Sequence, residues 1–270
     1  MTRGERVAAG VVAASFLVAL LAPLLPDDGA TRIDLKLRLS APLASPPLGT
    51  DELGRDILSR LIHGASISLG VAGTAVAVSA VAGSLLGLAA GERGGLLDAA
   101  VGRSADLVLA FPGLLLAVAL SAVLGPSATN TVVALCAAGW VPYARLARSE
   151  ARRVSTLDFV AAARAAGAAR SRILLRHLLP NLAAPLVVQA TLHLAGAILA
   201  ESALSFLGLG VPPPAPSWGA MLAGGRTHIL DAPHVVLAPA AAIVAVVLAT
   251  NVLGDALVDR LDPARRVRTA

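Results

Sequence analysis

Long apolar runs alternate with shorter polar segments along the whole chain. Six runs hold at most one charged residue each, and they cover residues 7–25, 67–90, 105–124, 131–147, 182–207 and 235–258. A helix of about 20 apolar residues crosses the hydrocarbon core of a bilayer. The alternating apolar and polar positions of a membrane β-barrel are not visible in any segment. The pattern therefore predicts an all-α integral membrane protein with six transmembrane helices.

The first run, residues 7–25, also has features of a cleaved signal peptide, because Arg3 and Arg6 precede it. Its apolar stretch is longer than the ~7–15 residues usual in signal peptides, and no A-x-A cleavage site precedes Pro26. We therefore expect an uncleaved first transmembrane helix that follows a short cytoplasmic N-terminus over residues 1–6.

The distribution of basic residues predicts the orientation. If the N-terminus is cytoplasmic, the inner segments, counted with Arg145 at the inner end of the fourth run, hold 16 of the 22 lysines and arginines, and the outer segments hold six. Short cytoplasmic loops carry the excess of basic residues in membrane proteins. The prediction is an extracytoplasmic loop over residues 26–66, a five-helix core over 67–258 with a cytoplasmic loop over 148–180, and a cytoplasmic tail over 259–270.

Composition and motifs exclude several classes of function. Hydrophobic residues make up 56% of the chain and charged residues 14%, compared with about 25% charged in soluble domains. The net charge of +5 does not indicate a nucleic-acid partner, because the basic residues lie between apolar runs. Lys36 is the only lysine and follows Leu35, so no G-x-x-x-x-G-K-[ST] loop occurs and ATP cannot bind by that route. No zinc-site spacing or G-x-S-x-G motif occurs, and Cys136 has no second cysteine to pair with.

A few polar and small residues interrupt the apolar runs. Burying a central charge in lipid costs about 2.5–3.5 kcal/mol, so such residues tend to have a function. Gln189 and His193 lie four residues apart on one helix face, and they either line a pore or bond to neighbouring helices. Glu201 is either pore-facing and partly hydrated or paired with a loop. Gly83 and Gly87 form a G-x-x-x-G pattern, which is typical of close helix packing.

The cytoplasmic loop contains a basic segment that predicts two helices. Residues 158–181 read DFVAAARAAGAARSRILLRHLLPN. Asp158 suits the positive end of a first helix, the alanines that follow favour helix, and Gly167 permits the backbone to turn. The second helix is predicted over residues 169–179, with Pro180 ending it.

Four stretches resemble one family. LGTDELGRDILSRLIHGASISL (48–69), the basic segment, ESALSFLGLGVPPPAPSWGAML (201–222) and NVLGDALVDRLDP (251–263) are similar to binding-protein-dependent ABC transporter permeases of the dipeptide/oligopeptide/nickel type. In such permeases the cytoplasmic EAA loop reads E-A-A-x-x-x-G. The chain has Ala161 where the family has glutamate, but it keeps Gly167. The resemblance covers nearly the whole sequence.

The resemblance implies a pore subunit without enzymatic activity in a bacterial inner membrane. It implies a second permease subunit as a heterodimer partner, two ATP-binding subunits that hold ATP and Mg²⁺, an extracytoplasmic substrate-binding protein and surrounding lipid. Di- or oligopeptides are the expected cargo, with nickel chelates, opines or other small solutes as alternatives. A self-contained ion-coupled transporter is the remoter alternative, since only Asp106, His193 and Glu201 lie in the spans as candidate coupling residues.

The resemblance also implies roles for particular residues. Those expected to couple to the ATP-binding subunit are Asp158, Ala161, Ala162, Ala163, Arg164, Gly167, Arg172, Pro180 and Asn181. Those expected to contact the binding protein are Asp51, Arg55, Asp56 and Trp218. Of these, Asp51 is also predicted to cap the short helix that ends the first outer loop.

Overall fold

The computed structural model describes residues 2–26 and 28–261, and within these ranges it is built from helices without a β-strand. A single isolated bridge joins Thr50 and Asp56. This confirms the all-α prediction. The helices are α1 (Arg3–Leu21), α2 (Asp28–Thr31), α3 (Ile57–Arg93), α4 (Gly95–Leu109), α5 (Gly113–Leu124), α6 (Ala128–Ser155), α7 (Asp158–Ala165), α8 (Arg170–Ile173), α9 (Leu179–Phe206), α10 (Trp218–Gly225) and α11 (His234–Leu261).

Four segments of the described chain are long and apolar enough to cross a membrane. They are Arg3–Leu24, Ile57–Arg93, Leu179–Phe206 and His234–Arg260. The α4–α5 pair is a candidate fifth span that is bent by 86°. Helix α6 has 28 residues, but its second half is rich in arginine. The count of six spans therefore stays a prediction, and most of the predicted tail, residues 262–270, lies outside the described residues.

The third predicted span differs from the structure. A continuous helix over 105–124 was expected, whereas α4 starts at Gly95 and ends at Leu109, and α5 starts at Gly113. Pro112 explains the break, because it lacks a backbone N–H and its ring disfavours helical geometry at the residue before it, Phe111. The result is an elbow, residues 109–113, between two half-length helices.

Helices α3 and α6 form the closest pair, and glycines make their contact possible. A Cβ atom at Gly83 would collide with the Trp140 carbonyl, and one at Gly87 would collide with the Ala144 carbonyl. Gly91 continues the same face of α3 one turn further on. The close packing predicted from the G-x-x-x-G pattern is thus confirmed, and we call these three glycines the glycine seam.

Candidate functional site

A cavity of about 380 Å³ opens between α3, the α4–α5 elbow, α6 and α9. Its wall is built mainly from small residues, including Gly113, Gly139 and Gly196. A Cβ atom at Gly196 would meet nothing within 4 Å, so this part of the wall faces open space. His193 is the one ionisable side chain among the described residues that line the cavity.

The position of His193 is fixed by a second helix. Its Nδ1 lies 3.1 Å from the hydroxyl group of Tyr143 on α6, and the two ring centroids are 5.5 Å apart. Tyr143 is completely buried, whereas His193 is half-buried. Both interpretations of His193 therefore apply, since it lines the cavity and also bonds across helices.

If α6 begins at the outer surface, as the predicted fourth span does, the cavity lies near the middle of the apolar layer. A Cβ atom at Gly113 would be 3.5 Å from the Cβ of Ala138. Ala138 comes ten residues after the start of α6, which corresponds to about 15 Å along that helix. This is about half of the ~30 Å hydrocarbon core. Non-helical backbone at such a depth is tolerated where it is covered by protein or lines a hydrated path.

The other two polar residues of α9 lie outside the cavity wall. Gln189 is half-exposed and is not among the lining residues. Glu201 is completely buried and accepts a hydrogen bond of 2.7 Å from the Ser205 hydroxyl, so the described chain does not expose it to the cavity. The expectation that Glu201 is partly hydrated is therefore wrong for this structure. The sequence around Glu201 in α9 did not indicate that its side chain is completely buried.

The basic segment folds into two helices around Gly167, as predicted from its sequence. Helix α7 ends at Ala165, and Gly167 has φ +78°, a conformation that favours glycine. A π-helical turn, Leu174–Leu178, follows α8 and leads directly into α9. Pro180 was expected to end the second helix, but the helical backbone continues through it, and the π-helical turn directly precedes the position where its N–H is missing.

Apolar anchors hold the basic segment against the bundle. Val160, Ile173, Leu178 and Leu182 are buried in one cluster with residues of α3 and α6, including Leu88. The opposite surface is exposed. It includes the predicted coupling residues Asp158, Ala161, Ala162, Gly167, Arg172, Pro180 and Asn181, whereas Ala163 is half-buried.

Phe159 belongs to this surface but was not singled out from the sequence. Its side chain is 44% exposed next to the alanines of α7. The available signal was an aromatic residue in a basic segment of a chain that has only four phenylalanines. The side chain of Arg164, another predicted coupling residue, lies outside the described part of the structure.

The outer loop before α3 is organised by Asp51. Its Oδ1 accepts hydrogen bonds from the backbone N–H groups of Leu53 (2.9 Å) and Arg55 (3.0 Å). Its Oδ2 lies 2.7 Å from Nε of Arg55 and 3.3 Å from Nε of Arg60. Arg60 in turn donates to the Ala30 carbonyl at 2.9 Å. We call Asp51, Arg55 and Arg60 the outer ionic cluster.

Asp51 does not cap α3 as predicted. Asp56 is the cap, and its carboxylate accepts from the backbone N–H groups of Leu58 (3.1 Å) and Ser59 (3.3 Å). A cap must directly precede the first helical residue, and α3 begins at Ile57, so Asp51 lies too early in the chain.

The second outer loop returns to α3 through Trp218. Its backbone N–H donates to the Ser68 hydroxyl (3.1 Å), and its indole N–H donates to the Leu61 carbonyl (3.0 Å). Trp218 and Asp51 are 3% and 6% exposed, so they hold the outer loops in place rather than forming their surface. The predicted contact with a binding protein now rests on Arg55 and Asp56, which are partly exposed.

A metal site is not apparent in the described chain. No three histidine, cysteine, aspartate or glutamate side chains of residues 2–26 and 28–261 come together in a group that could hold an ion. The half-buried Cys136 instead lies with its Sγ 3.5 Å from the Ala75 carbonyl.

Comparisons with known proteins agree with these features. Residues 83–267 match the family model described as "Binding-protein-dependent transport system inner membrane component". The chain is 42% identical to the dipeptide transport system permease protein DppC of Alkalihalophilus pseudofirmus, over 94% of this chain and 83% of that protein. It is 50% identical to the di/tripeptide transport system permease protein DppC of Pseudomonas aeruginosa (75% and 67% covered). It is 41% identical to the glutathione transport system permease protein GsiD of Pectobacterium atrosepticum (75% and 67% covered).

Proposed function

This chain belongs to the family of binding-protein-dependent transport system inner membrane components, and we propose that it forms half of the pore of an ABC importer for di- and oligopeptides. It is a multi-pass membrane protein, and its relatives are permease subunits. The observation that carries the proposal is the similarity to peptide permeases along almost the whole chain.

The His193 cavity is the proposed half of the translocation path. It lies at mid-depth, beside an elbow whose exposed backbone is unsuited to lipid. Ala110, Phe111 and Pro112 are all exposed in the isolated chain. A second permease subunit of similar fold would cover this side and complete the path.

Short peptides are the proposed cargo class. The relatives named above are permeases for dipeptides, di- and tripeptides, and glutathione. Peptides share a backbone but vary in side-chain charge. A wall of glycine and alanine with one histidine offers no fixed charge against either sign, which suits such variation.

Coupling to ATP is proposed to pass through the basic segment. Its apolar anchors attach it to α3 and α6, while Phe159, Ala161 and Ala162 are exposed apolar residues on its outer surface. ATP and Mg²⁺ would be bound by two partner subunits that dock there. This places the basic segment and both termini in the cytoplasm of a bacterium, and the two outer loops against a substrate-binding protein.

A pull-down from the native membrane tests the proposal. The full chain is purified in detergent, and its partners are identified by mass spectrometry. We expect a second permease and ATP-binding subunits. A variant with residues 158–181 deleted should lose the ATP-binding subunits and keep the second permease. The matched control is Gly70→Val, which places a side chain in open space on α3 and should keep every partner.

Recovery of the chain alone, together with ion-driven transport after reconstitution, would contradict the proposal. It would favour a self-contained secondary transporter in which His193 and the buried Glu201 become the residues to test.

A further inference from the structure

Helix α4 is held to α6 mainly by charged side chains. Asp98 on α4 accepts from Nη2 of Arg148 at 2.7 Å and also pairs with the Nε group of Arg148 and with Arg152. Further along α4, Asp106 pairs with Arg145 at 2.7 Å. All three arginines lie on one face of α6, so the contact is an ionic zipper, Asp98 and Asp106 against Arg145, Arg148 and Arg152.

The pairs of the zipper are not equivalent. The Asp98 side chain is only 13% exposed and binds two guanidinium groups. It binds that of Arg148 through two nitrogens, Nε and Nη2. The Asp106 side chain is 71% exposed and binds one. A partly buried, two-point contact is stronger and more directional than an exposed single pair. Asp98 therefore dominates the link.

Apolar packing is confined to one small cluster, in which Val101 and Leu97 of α4 meet Ala144 and Trp140 of α6. In the described chain Val101 and Ala105 are the buried residues of α4. A cavity of about 290 Å³ remains between the two helices, lined in part by Arg148 and Arg152.

The backbone changes direction at both ends of α4. Gly94 and Gly95 join it to α3 with φ values of +66° and +60°, and a Cβ atom at either would meet nothing within 4 Å. At the other end, the elbow at Pro112 joins it to α5. Helix α4 is thus a segment of 15 residues between two breaks in the helical backbone.

The zipper connects two regions that the proposed function treats separately. Arg148 and Arg152 lie in the last two turns of α6, just before the basic segment begins at Asp158. At the far end of α4, Leu109 and Gly113 line the His193 cavity. We propose that Asp98 is a coupling residue, which transmits movement of the cytoplasmic end of α6 through α4 to the elbow and so to the cavity wall. The inference rests on the proposed coupling to ATP-binding subunits.

The test measures access to the cavity in the full complex. Gly196→Cys is introduced into a Cys136→Ala background, and its rate of maleimide labelling is compared without nucleotide and after trapping with ATP and vanadate. With Asp98 intact, we expect the two rates to differ at least about fivefold. With Asp98→Asn, we expect them to agree within about twofold while ATPase activity is retained.

Two further variants separate coupling from folding. Glu150→Gln is the matched control, because in the described chain Glu150 pairs with Arg153 of its own helix, and it should keep the difference in rates. Asp98→Arg combined with Arg148→Asp reverses the central pair, and the new carboxylate would also be four residues from Arg152. This double variant should restore the difference.

The outcomes distinguish the two proposals. If nucleotide changes the labelling rate equally with Asp98 and with Asp98→Asn, the role of Asp98 is wrong and the proposed function stands. If the complex with Asp98→Asn does not assemble, the charge-reversed double variant provides the test. The coupling role of Asp98 is refuted if that variant assembles but does not restore the difference in labelling rates. If the complex with intact Asp98 shows no nucleotide effect, the proposed coupling itself is refuted.

Discussion

The outer ionic cluster supports a sharp prediction about stability. In Asp51→Asn the amide oxygen can replace Oδ1, so the hydrogen bonds from the backbone N–H groups of Leu53 and Arg55 survive. The amide nitrogen then replaces Oδ2, which faces the guanidinium groups of Arg55 and Arg60. The substitution therefore removes the ion pairs while keeping the turn.

The expected cost follows from burial. The Arg60 side chain is 7% exposed, so its charge cannot move into water when its partner is lost. Breaking a buried pair in this way costs about 3–5 kcal/mol. Arg60 keeps its bond to the Ala30 carbonyl, which favours the lower end, about 3 kcal/mol.

The assay is unfolding of the chain in mixed detergent micelles, and tryptophan fluorescence monitors the transition. Trp218 is a suitable reporter, because its indole ring packs on Gly64, one turn after Arg60. Asp34→Asn is the control. In the described chain the Asp34 carboxylate accepts one exposed hydrogen bond, from the backbone N–H of Lys36. An amide oxygen can accept the same bond, so a change within about 0.5 kcal/mol is expected.

A double variant completes the test. Arg60→Met added to Asp51→Asn removes the buried charge and should recover part of the loss. The reasoning fails if Asp51→Asn is as mild as Asp34→Asn, or if the double variant is no more stable than the single one.

Three further predictions concern the inner half. Gly167→Val should strain the backbone by about 1–3 kcal/mol, because φ is +78° there, and abolish recovery of the ATP-binding subunits without affecting membrane insertion. Normal uptake would contradict it. Ala161→Glu restores the family's acid on an exposed surface and should keep or raise the ATPase activity of the complex, whereas loss of assembly would mean that the partner's groove has adapted to alanine. Gly87→Val should destabilise the chain by about 1–3 kcal/mol or more through a clash with the Ala144 carbonyl, while Gly70→Val should be neutral in the same unfolding assay.

The hydrophobic pattern predicted the long helices well, because each of them must satisfy its own backbone in lipid. Four of the predicted apolar runs lie, to within one residue, inside segments of the described chain that are long and apolar enough to span a membrane. Packing of α3 on α6 was also readable, because only glycine permits such an approach at Gly83 and Gly87.

Other features depend on contacts that are distant in sequence. The role of Asp98 requires Arg148, which is 50 residues away, and no local pattern indicates which arginine a carboxylate will meet. The effect of a proline was also not readable from the sequence: Pro112 separates two helices, whereas the helical backbone continues through Pro180 after a π-helical turn. Burial of Trp218 likewise depends on how the second outer loop folds back.

The glycine seam sets the mechanics of α3. This helix has 37 residues and is about 55 Å long, so it is longer than a ~30 Å hydrocarbon core is thick. Gly87, at the centre of the seam, is about 9 Å from the inner end at Arg93 and about 45 Å from the outer end at Ile57. A rigid rod that pivots there is a lever with arms of very unequal length. A displacement of 1 Å at its inner end corresponds to about 5 Å at the end that carries the Asp56 cap.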